Sequence, residues 1–330
     1  MRKKNIPIFV SHAGCPNACV FCNQRRITGQ QNSMNAAAAK AIIDTALSTI
    51  SADEKVEIAY FGGSFTAIDV GLQTELLETA HSYIQDGRVQ GIRISTRPDC
   101  IDNEVLRRMK KYGVTTIELG VQSTDDDVLR QCKRGHTWED VFNGARMVSA
   151  AGFDLGLQMM PGLPGDTAEK VMRTAADIVS LKPVCARIYP TLVIADSPLC
   201  DMYERGEYVP LSLEQAIEQC AAIYSLFTQN GIEVLRVGLM ASESLADGGI
   251  AAGPFHPSFG ELVESRLYRG RILRMLEDAD SENAVLRVHP REISKAIGNR
   301  RCNIAYMKEK CNINLAIKAD ENVEVGSVMW

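Results

Sequence analysis

The sequence predicts an α/β fold on a mainly parallel sheet, and three observations carry the prediction. From residue 6 to about 238, short β-branched runs alternate with longer stretches of helical period. Gly113, Gly152 and Gly231 each fall just after the last apolar turn of a helical stretch, where helices stop. The alternation then ends at a Gly-rich stretch, residues 247–254.

In chain order, the expected strands are 6–10, 56–61, 91–96, 116–121, 154–160, 186–192 and 232–237. The helices expected between them are 35–50, 69–85, 103–112, 137–151, 166–181 and 213–230. Six or seven βα units suit either a (β/α) barrel, complete or partial, or a doubly wound sheet. Composition does not choose between them. In both, chemistry belongs at the C-terminal ends of the strands. Beyond the Gly-rich stretch a charged helix is expected over 258–277. Strand 284–288, helix 291–297, a tight turn, helix 303–311 and strand 313–319 follow. The organisation read from this is an α/β core over 1–240, a Gly-rich loop and connecting helix over 241–280, and a small βααβ unit over 281–330.

With 45% apolar and 23% charged residues in 330, the chain is neither disordered nor collagen-like. No apolar run approaches the roughly 18 residues that span a bilayer. Met1-Arg2-Lys3-Lys4 is basic, but the apolar run after it is too short for a signal peptide, so a cytoplasmic protein without membrane contact is expected. In that reducing compartment, ten cysteines suggest metal binding or catalysis before disulfides. The net charge of −5 conceals a split. Residues 281–318 carry eight Lys or Arg against Glu282, Glu292 and Glu309, while the rest is acidic.

The strongest motif is Cys15-Pro16-Asn17-Ala18-Cys19-Val20-Phe21-Cys22, a C-x3-C-x2-C loop just after the first strand. Three such thiolates can hold three irons of a [4Fe–4S] cube and leave the fourth iron open. A structural zinc site with His12 as fourth ligand is the alternative, but no second C-x2-C is present to close it. Phe61-Gly62-Gly63-Ser64 follows the second strand, Ser95-Thr96-Arg97-Pro98-Asp99 the third, and Glu118-Leu119-Gly120-Val121-Gln122-Ser123 the fourth. Met160-Pro161-Gly162-Leu163-Pro164-Gly165 ends the fifth strand, which also carries Gln158, and Arg187-Ile188-Tyr189-Pro190-Thr191-Leu192-Val193 makes the sixth.

With Phe21 in the aromatic position, the cysteine motif resembles that of the radical S-adenosylmethionine (SAM) superfamily. The later motifs look most like the catalytic subunit of Elongator and its bacterial relatives, which modify the wobble uridine of transfer RNA. The resemblance implies a partial (β/α)6 TIM-like barrel. It also implies a [4Fe–4S] cluster on Cys15, Cys19 and Cys22, and one-electron cleavage of SAM to methionine and a 5′-deoxyadenosyl radical. Phe21, Gly62, Gly63, Ser64, Arg97, Gln122, Arg134 and Gln158 are the residues it implies for SAM. An electron donor such as flavodoxin or ferredoxin and a transfer RNA substrate are the implied partners. Unlike the Elongator subunit, the chain has the common cysteine spacing and leaves no room for an acetyltransferase-sized domain, so carboxymethylation by this chain alone is not expected.

The last segment resembles a K-homology RNA-binding unit, with Ile297-Gly298-Asn299-Arg300-Arg301 where that family has I-G-x-x-G. Gly298, Arg300 and Arg301 are its implied RNA contacts, although Arg301 replaces the second glycine. The bland alternative is a cap with a solvated basic face. The Gly253–Glu261 turn could form a lid over the barrel, with His256 more simply explained by packing than by acid chemistry. No residue is assigned a catalytic proton or hydrogen transfer. Two other functions stay open: radical chemistry on a small molecule, as in oxygen-independent coproporphyrinogen oxidase relatives, and RNA binding with a structural metal.

Overall fold

A computed structural model describes residues 4–10, 15, 17–23, 26–27, 34–51, 53–239, 248–277 and 282–330. His12 and Asp247 lie outside the described residues. The core is a curled half-barrel of parallel strands in sequential order. It comprises β1 (Lys4–Val10), β2 (Val56–Gly62), β3 (Gly91–Thr96), β4 (Val114–Gln122), β5 (Asp154–Met159), β6 (Cys185–Ile188) and a last strand, Glu233–Val237. That is seven strands, one more than the (β/α)6 expectation, because Glu233–Val237 pairs with β6 in parallel. β1 and the last strand are the open edges.

Helices α1 (Ala36–Leu47), α2 (Val70–Gln85), α3 (Asn103–Lys111), α4 (Asp126–Gln131), α5 (Trp138–Ala150) and α6 (Ala168–Ser180) connect β1 to β6. Their starts are fixed by side chains that accept otherwise unpaired amides. Asp69 accepts from Leu72, Asp102 from Val105, and Thr137 forms a reciprocal capping box with Asp140. The predicted stop glycines hold positive φ of 78°, 76° and 73°, a region costly for other residues. Ile6, Ile8 and Val10 on β1, with Ile58 and Tyr60 on β2, face the helices and begin the main core.

The sixth strand is shorter than predicted. Only Cys185–Ile188 joins the sheet, because Pro190 has no amide to extend the ladder. The chain turns away, and β7 (Val193–Ile194) pairs antiparallel with a strand inside the Gly-rich stretch, Ile250–Ala252. Two short helices were not anticipated, α4 and α7 (Pro198–Glu204); at six and seven residues neither offers a periodic signal. Then follow α8 (Leu213–Gln229), β8 (Glu233–Val237), β9 (Ile250–Ala252) and α9 (Phe259–Leu276).

The expected connecting helix has a larger role than joining two units. Phe259 and Val263 of α9 sit in the barrel core, whereas Tyr268, Ile272 and Leu276 sit in a second core. That second core belongs to β10 (Asn283–Val288), α10 (Ile293–Ile297), α11 (Cys302–Cys311) and β11 (Asn314–Ala319). β10 and β11 pair in parallel, giving the expected βααβ order. No helix among the described residues is long and apolar enough to cross a membrane.

Inside the half-barrel, four strands each place a charge mid-strand. Arg93 reaches Glu57 at 3.2 Å and Glu118 at 2.9 Å, and Arg187 reaches Glu118 at 2.5 Å. The Arg187 guanidinium also lies 5.0 Å over the Phe61 ring. Removing one partner of a buried pair leaves a charge uncompensated. Glu118→Gln should therefore lower stability by about 3–5 kcal/mol in urea denaturation. An unchanged midpoint would show that these charges do not bind the strands together.

Candidate active site

The cysteine loop follows the C-terminal end of β1, and two backbone hydrogen bonds hold its described part. Val20 donates its amide to the Cys132 carbonyl at 3.1 Å, and Leu199 donates to the Val20 carbonyl at 2.8 Å. Val20 and Phe21 are buried in a satellite apolar cluster with Val128, Leu163, Leu199 and Tyr208. Phe21 thus anchors the loop on α4, α7 and the turn after β5. Gly135 lies beside it with φ +80°, a backbone that favours glycine, and a Cβ there would lie 2.1 Å from the Asn17 side-chain nitrogen. Downstream, Asn23 donates to the Ala195 and Asp196 carbonyls, and Arg26 pairs with Asp196. Cys19 is buried, Cys22 half-buried and Cys15 exposed.

The glycine motif after β2 meets this loop where it begins. Gly62 has φ +110°, and a Cβ there would approach the Val10 carbonyl oxygen to 3.2 Å. Gly63 donates its amide to that same carbonyl at 3.1 Å. Ser64, fully buried, bonds Thr96 through its hydroxyl at 2.9 Å and accepts from the Arg97 amide at 3.2 Å. The motifs after β2 and β3 are therefore joined side by side.

Arg97 is 2% exposed. Asp99 takes its Nε and Nη2 at 2.9 and 2.7 Å, but Nη1 has no partner among the described residues. Arg134 is also buried. Its Nη2 donates to the Gly120 carbonyl at 2.8 Å and its Nη1 to the Cys19 sulfur at 3.5 Å, while its Nε has no partner among the described residues. Gly120 makes this approach feasible, since a Cβ there would meet Arg134 Nη2 at 2.8 Å and Gln122 Nε2 at 2.9 Å. Gln122 takes φ +69° at an irregularity in the β4–β5 pairing. Its side-chain oxygen accepts from Gln158 Nε2 at 3.1 Å, so these two predicted residues are neighbours.

Cys15 is exposed as a residue, yet desolvation around its sulfur raises its pKa; Arg134 and Arg97 pull it down, and a hydrogen bond from the Ser64 backbone helps. Cys132, behind the loop, is pushed by burial up to about 12 and stays a thiol. Among the described residues no three Cys, His, Asp or Glu side chains converge on a single-ion position. A cube does not require that, because its ligating sulfurs bind different irons. Two buried guanidiniums with unpaired nitrogens beside a three-cysteine loop fit an iron–sulfur cube and an anionic ligand at its open iron.

Asp99, Gly120, Glu118 and Arg187 stand in the quoted motifs without a role of their own, whereas Gly135, Glu57 and Arg93 were not singled out: no spacing rule marks Gly135, and Glu57 and Arg93 show only as lone charges in apolar strands. Gly298, Arg300 and Arg301 are not part of this mouth. Gly298 is buried with φ +82°, and a Cβ there would meet Cys302 Sγ at 2.6 Å and Ser265 Oγ at 2.8 Å, so it packs inward on α9. Arg300 and Arg301 are exposed. His256 accepts from the Ser258 amide through Nδ1 at 3.1 Å, a turn cap.

Residues 9–178 match the family model of the radical SAM superfamily, and residues 183–269 match the radical SAM C-terminal domain. The tRNA uridine(34) acetyltransferase of Methanocaldococcus jannaschii is 34% identical over 184 residues, which is 50% of this chain and 34% of that protein. Elongator complex protein 3 of Homo sapiens is 29% identical over 193 residues, 52% of this chain and 35% of that one. The solved structure of archaeal Elp3 from Methanocaldococcus infernus, with an N-terminal deletion, is similar at a TM-score of 0.67 and 25% identity. It covers 81% of this chain and 63% of that chain. The present chain spans only about a third of the length of these two curated relatives.

His136 supplies a stability test. Its Nε2 donates to the Val121 carbonyl at 3.2 Å; burial, then Arg134 and Arg97, push its pKa from 6.5 down to about 3. The fold binds neutral imidazole, so this contribution is complete above pH 6.5 and is lost as pH falls toward 3. Between pH 7 and 5 the wild type should lose about 2 kcal/mol more than His136→Gln in urea denaturation. Parallel losses in the two proteins would contradict a buried neutral His136.

Proposed function

The chain belongs to the radical SAM superfamily, whose members use a [4Fe–4S] cluster and S-adenosylmethionine, and on that premise we propose that this enzyme modifies transfer RNA. A cluster and SAM held at the barrel mouth would supply one-electron reductive C–S cleavage and hydrogen abstraction from a substrate. Cys15, Cys19 and Cys22 are the cluster ligands in this reading. Phe21 seats their loop, and Gly62, Gly63 and Ser64 offer backbone at close approach. Gln122 and Gln158, hydrogen-bonded to each other, would add polar contacts to SAM.

Arg134 carries the reading. It is a buried cation held by a carbonyl and a cysteine sulfur, and it forms no carboxylate ion pair among the described residues. A buried charge in that state is stabilised by an anion, and the carboxylate of SAM is the anion this site would receive. Arg97, with its unpaired Nη1, adds a second donor. All these positions lie within the matched residues 9–178. The transfer RNA substrate rests on likeness to proteins named for tRNA uridine(34) and Elongator, of which this chain spans part. A flavodoxin or ferredoxin as reductant and a cytoplasmic location complete the reading.

After anaerobic reconstitution, about four irons per chain and 5′-deoxyadenosine from SAM and dithionite are expected. Cys19→Ala should lose the iron. Arg134→Ala should keep it but raise the SAM concentration for half-maximal cleavage about 10- to 100-fold, the worth of a charge-assisted hydrogen bond. Mass spectrometry of nucleosides should reveal a SAM-dependent change in transfer RNA from a strain lacking the protein. Zinc in place of iron would end the radical assignment, and unaltered nucleosides would end the transfer RNA assignment alone.

A further inference from the structure

Helix α9 presents Arg266, Arg269, Arg271 and Arg274 along a groove of about 450 Å³ shared with α8 and with Tyr306 of α11. Two carboxylates of α8 also line it, Glu214 and Glu218, and Arg266 pairs with both. The other three arginines form no carboxylate ion pair among the described residues. They are not loose. The Arg269 guanidinium lies 4.4 Å over the Tyr306 ring and its Nε donates to Asn303 Oδ1 at 3.0 Å. The Arg271 guanidinium lies 4.9 Å over the Tyr268 ring. Stacking of this kind orients a guanidinium while leaving outer nitrogens for a ligand.

The turn at Gly298 is locked to the same place. Asn303, fully buried, donates to the Ser265 carbonyl of α9 at 2.9 Å and to the Ala296 carbonyl at 3.0 Å, while its oxygen holds Arg269. That turn displays Arg300 and Arg301, both exposed, both with left-handed backbone at φ +50° and +61°, and neither in an ion pair among the described residues. Five guanidiniums that form no carboxylate ion pair among the described residues therefore sit on α9 and on a turn fastened to it, in a chain whose overall charge is −5.

We propose that this face of α9, with Tyr306 and the Arg300–Arg301 turn, binds the phosphate backbone of structured RNA. The proposal deepens the transfer RNA reading and rests on it. Guanidinium forks match phosphate oxygens in pairs, which explains arginine rather than lysine at 269, 271 and 274. Several such forks spread over two elements suit a chain of phosphates better than one small anion. Tyr306 adds an aromatic surface of the sort that stacks on an unpaired base. The K-homology likeness had placed the contact at the glycine turn. Here Gly298 faces the protein, and the arginines after it face solvent.

The test is fluorescence anisotropy of a labelled transfer RNA with the full chain, from about 50 to 200 mM salt. Arg274→Glu, at an exposed position, should weaken binding about tenfold. Arg269→Gln with Arg271→Gln and Arg274→Gln should weaken it about 100-fold or more and reduce the salt slope by about 2 to 3, near one per lost phosphate contact. Lysine at the three positions should restore most of the slope, and thermal unfolding checks that each variant folds. If the triple variant does not fold, Arg274→Glu decides the matter. Wild-type binding undiminished in these variants would overturn the surface and leave the transfer RNA reading standing. Absence of wild-type binding at the lowest salt would overturn both, and preference for anionic lipid vesicles over RNA would overturn the surface.

Discussion

The Arg134 guanidinium reaches a backbone carbonyl with one nitrogen and a cysteine sulfur with another, and the barrel mouth is arranged around that contact. It is possible because residue 120 has no side chain, and because the β4–β5 register shifts where Gln122 takes a positive φ. The cysteine loop must then lie close enough for Cys19 to be the second acceptor. Backbone hydrogen bonds to Cys132 and Leu199 and the burial of Phe21 hold it there. Burying a cation without a carboxylate is costly, and among the described residues a carbonyl and a sulfur are its partners. Such a site is organised in advance for a ligand that brings its own negative charge.

Below this mouth the half-barrel lumen is polar, with Glu57, Arg93, Glu118 and Arg187 compensating one another across β2, β3, β4 and β6. An open parallel sheet filled this way keeps a hydrophilic floor beneath the barrel mouth. At the other end, α9 inserts its first half in the barrel core and its second in the C-terminal core. A surface on α9 is consequently rigid with respect to the barrel, which a flexibly tethered module would not ensure.

Much of this was legible in the sequence, for identifiable reasons. Strands such as 91–96 and helices such as 103–112 were readable because their periods and stop glycines agree with the tertiary outcome. The position of the three cysteines and of the motifs after each strand at one end of the sheet was readable because parallel sheets put strand C-terminal ends together, while the roles given to these residues are proposals. The end of the sixth strand was not, since Thr191-Leu192-Val193 has strand composition and only pairing reveals that it leaves the sheet after Ile188. Nor was the role of Gly298, because its inward direction depends on Ser265 of a distant helix. Contacts between motifs, such as Ser64 with Thr96 or Gln122 with Gln158, follow from strand adjacency and not from spacing along the chain.

In the proposed function, Arg134 and its neighbours prepare an open-iron cluster site for SAM. Electron paramagnetic resonance of the reduced, reconstituted protein addresses it most directly, with SAM titrated from zero. A single [4Fe–4S]⁺ signal whose g-values shift on SAM addition is expected, with the shift moved to higher SAM concentration in Arg134→Ala. A cluster signal in the wild type that does not respond to SAM at any concentration would contradict it.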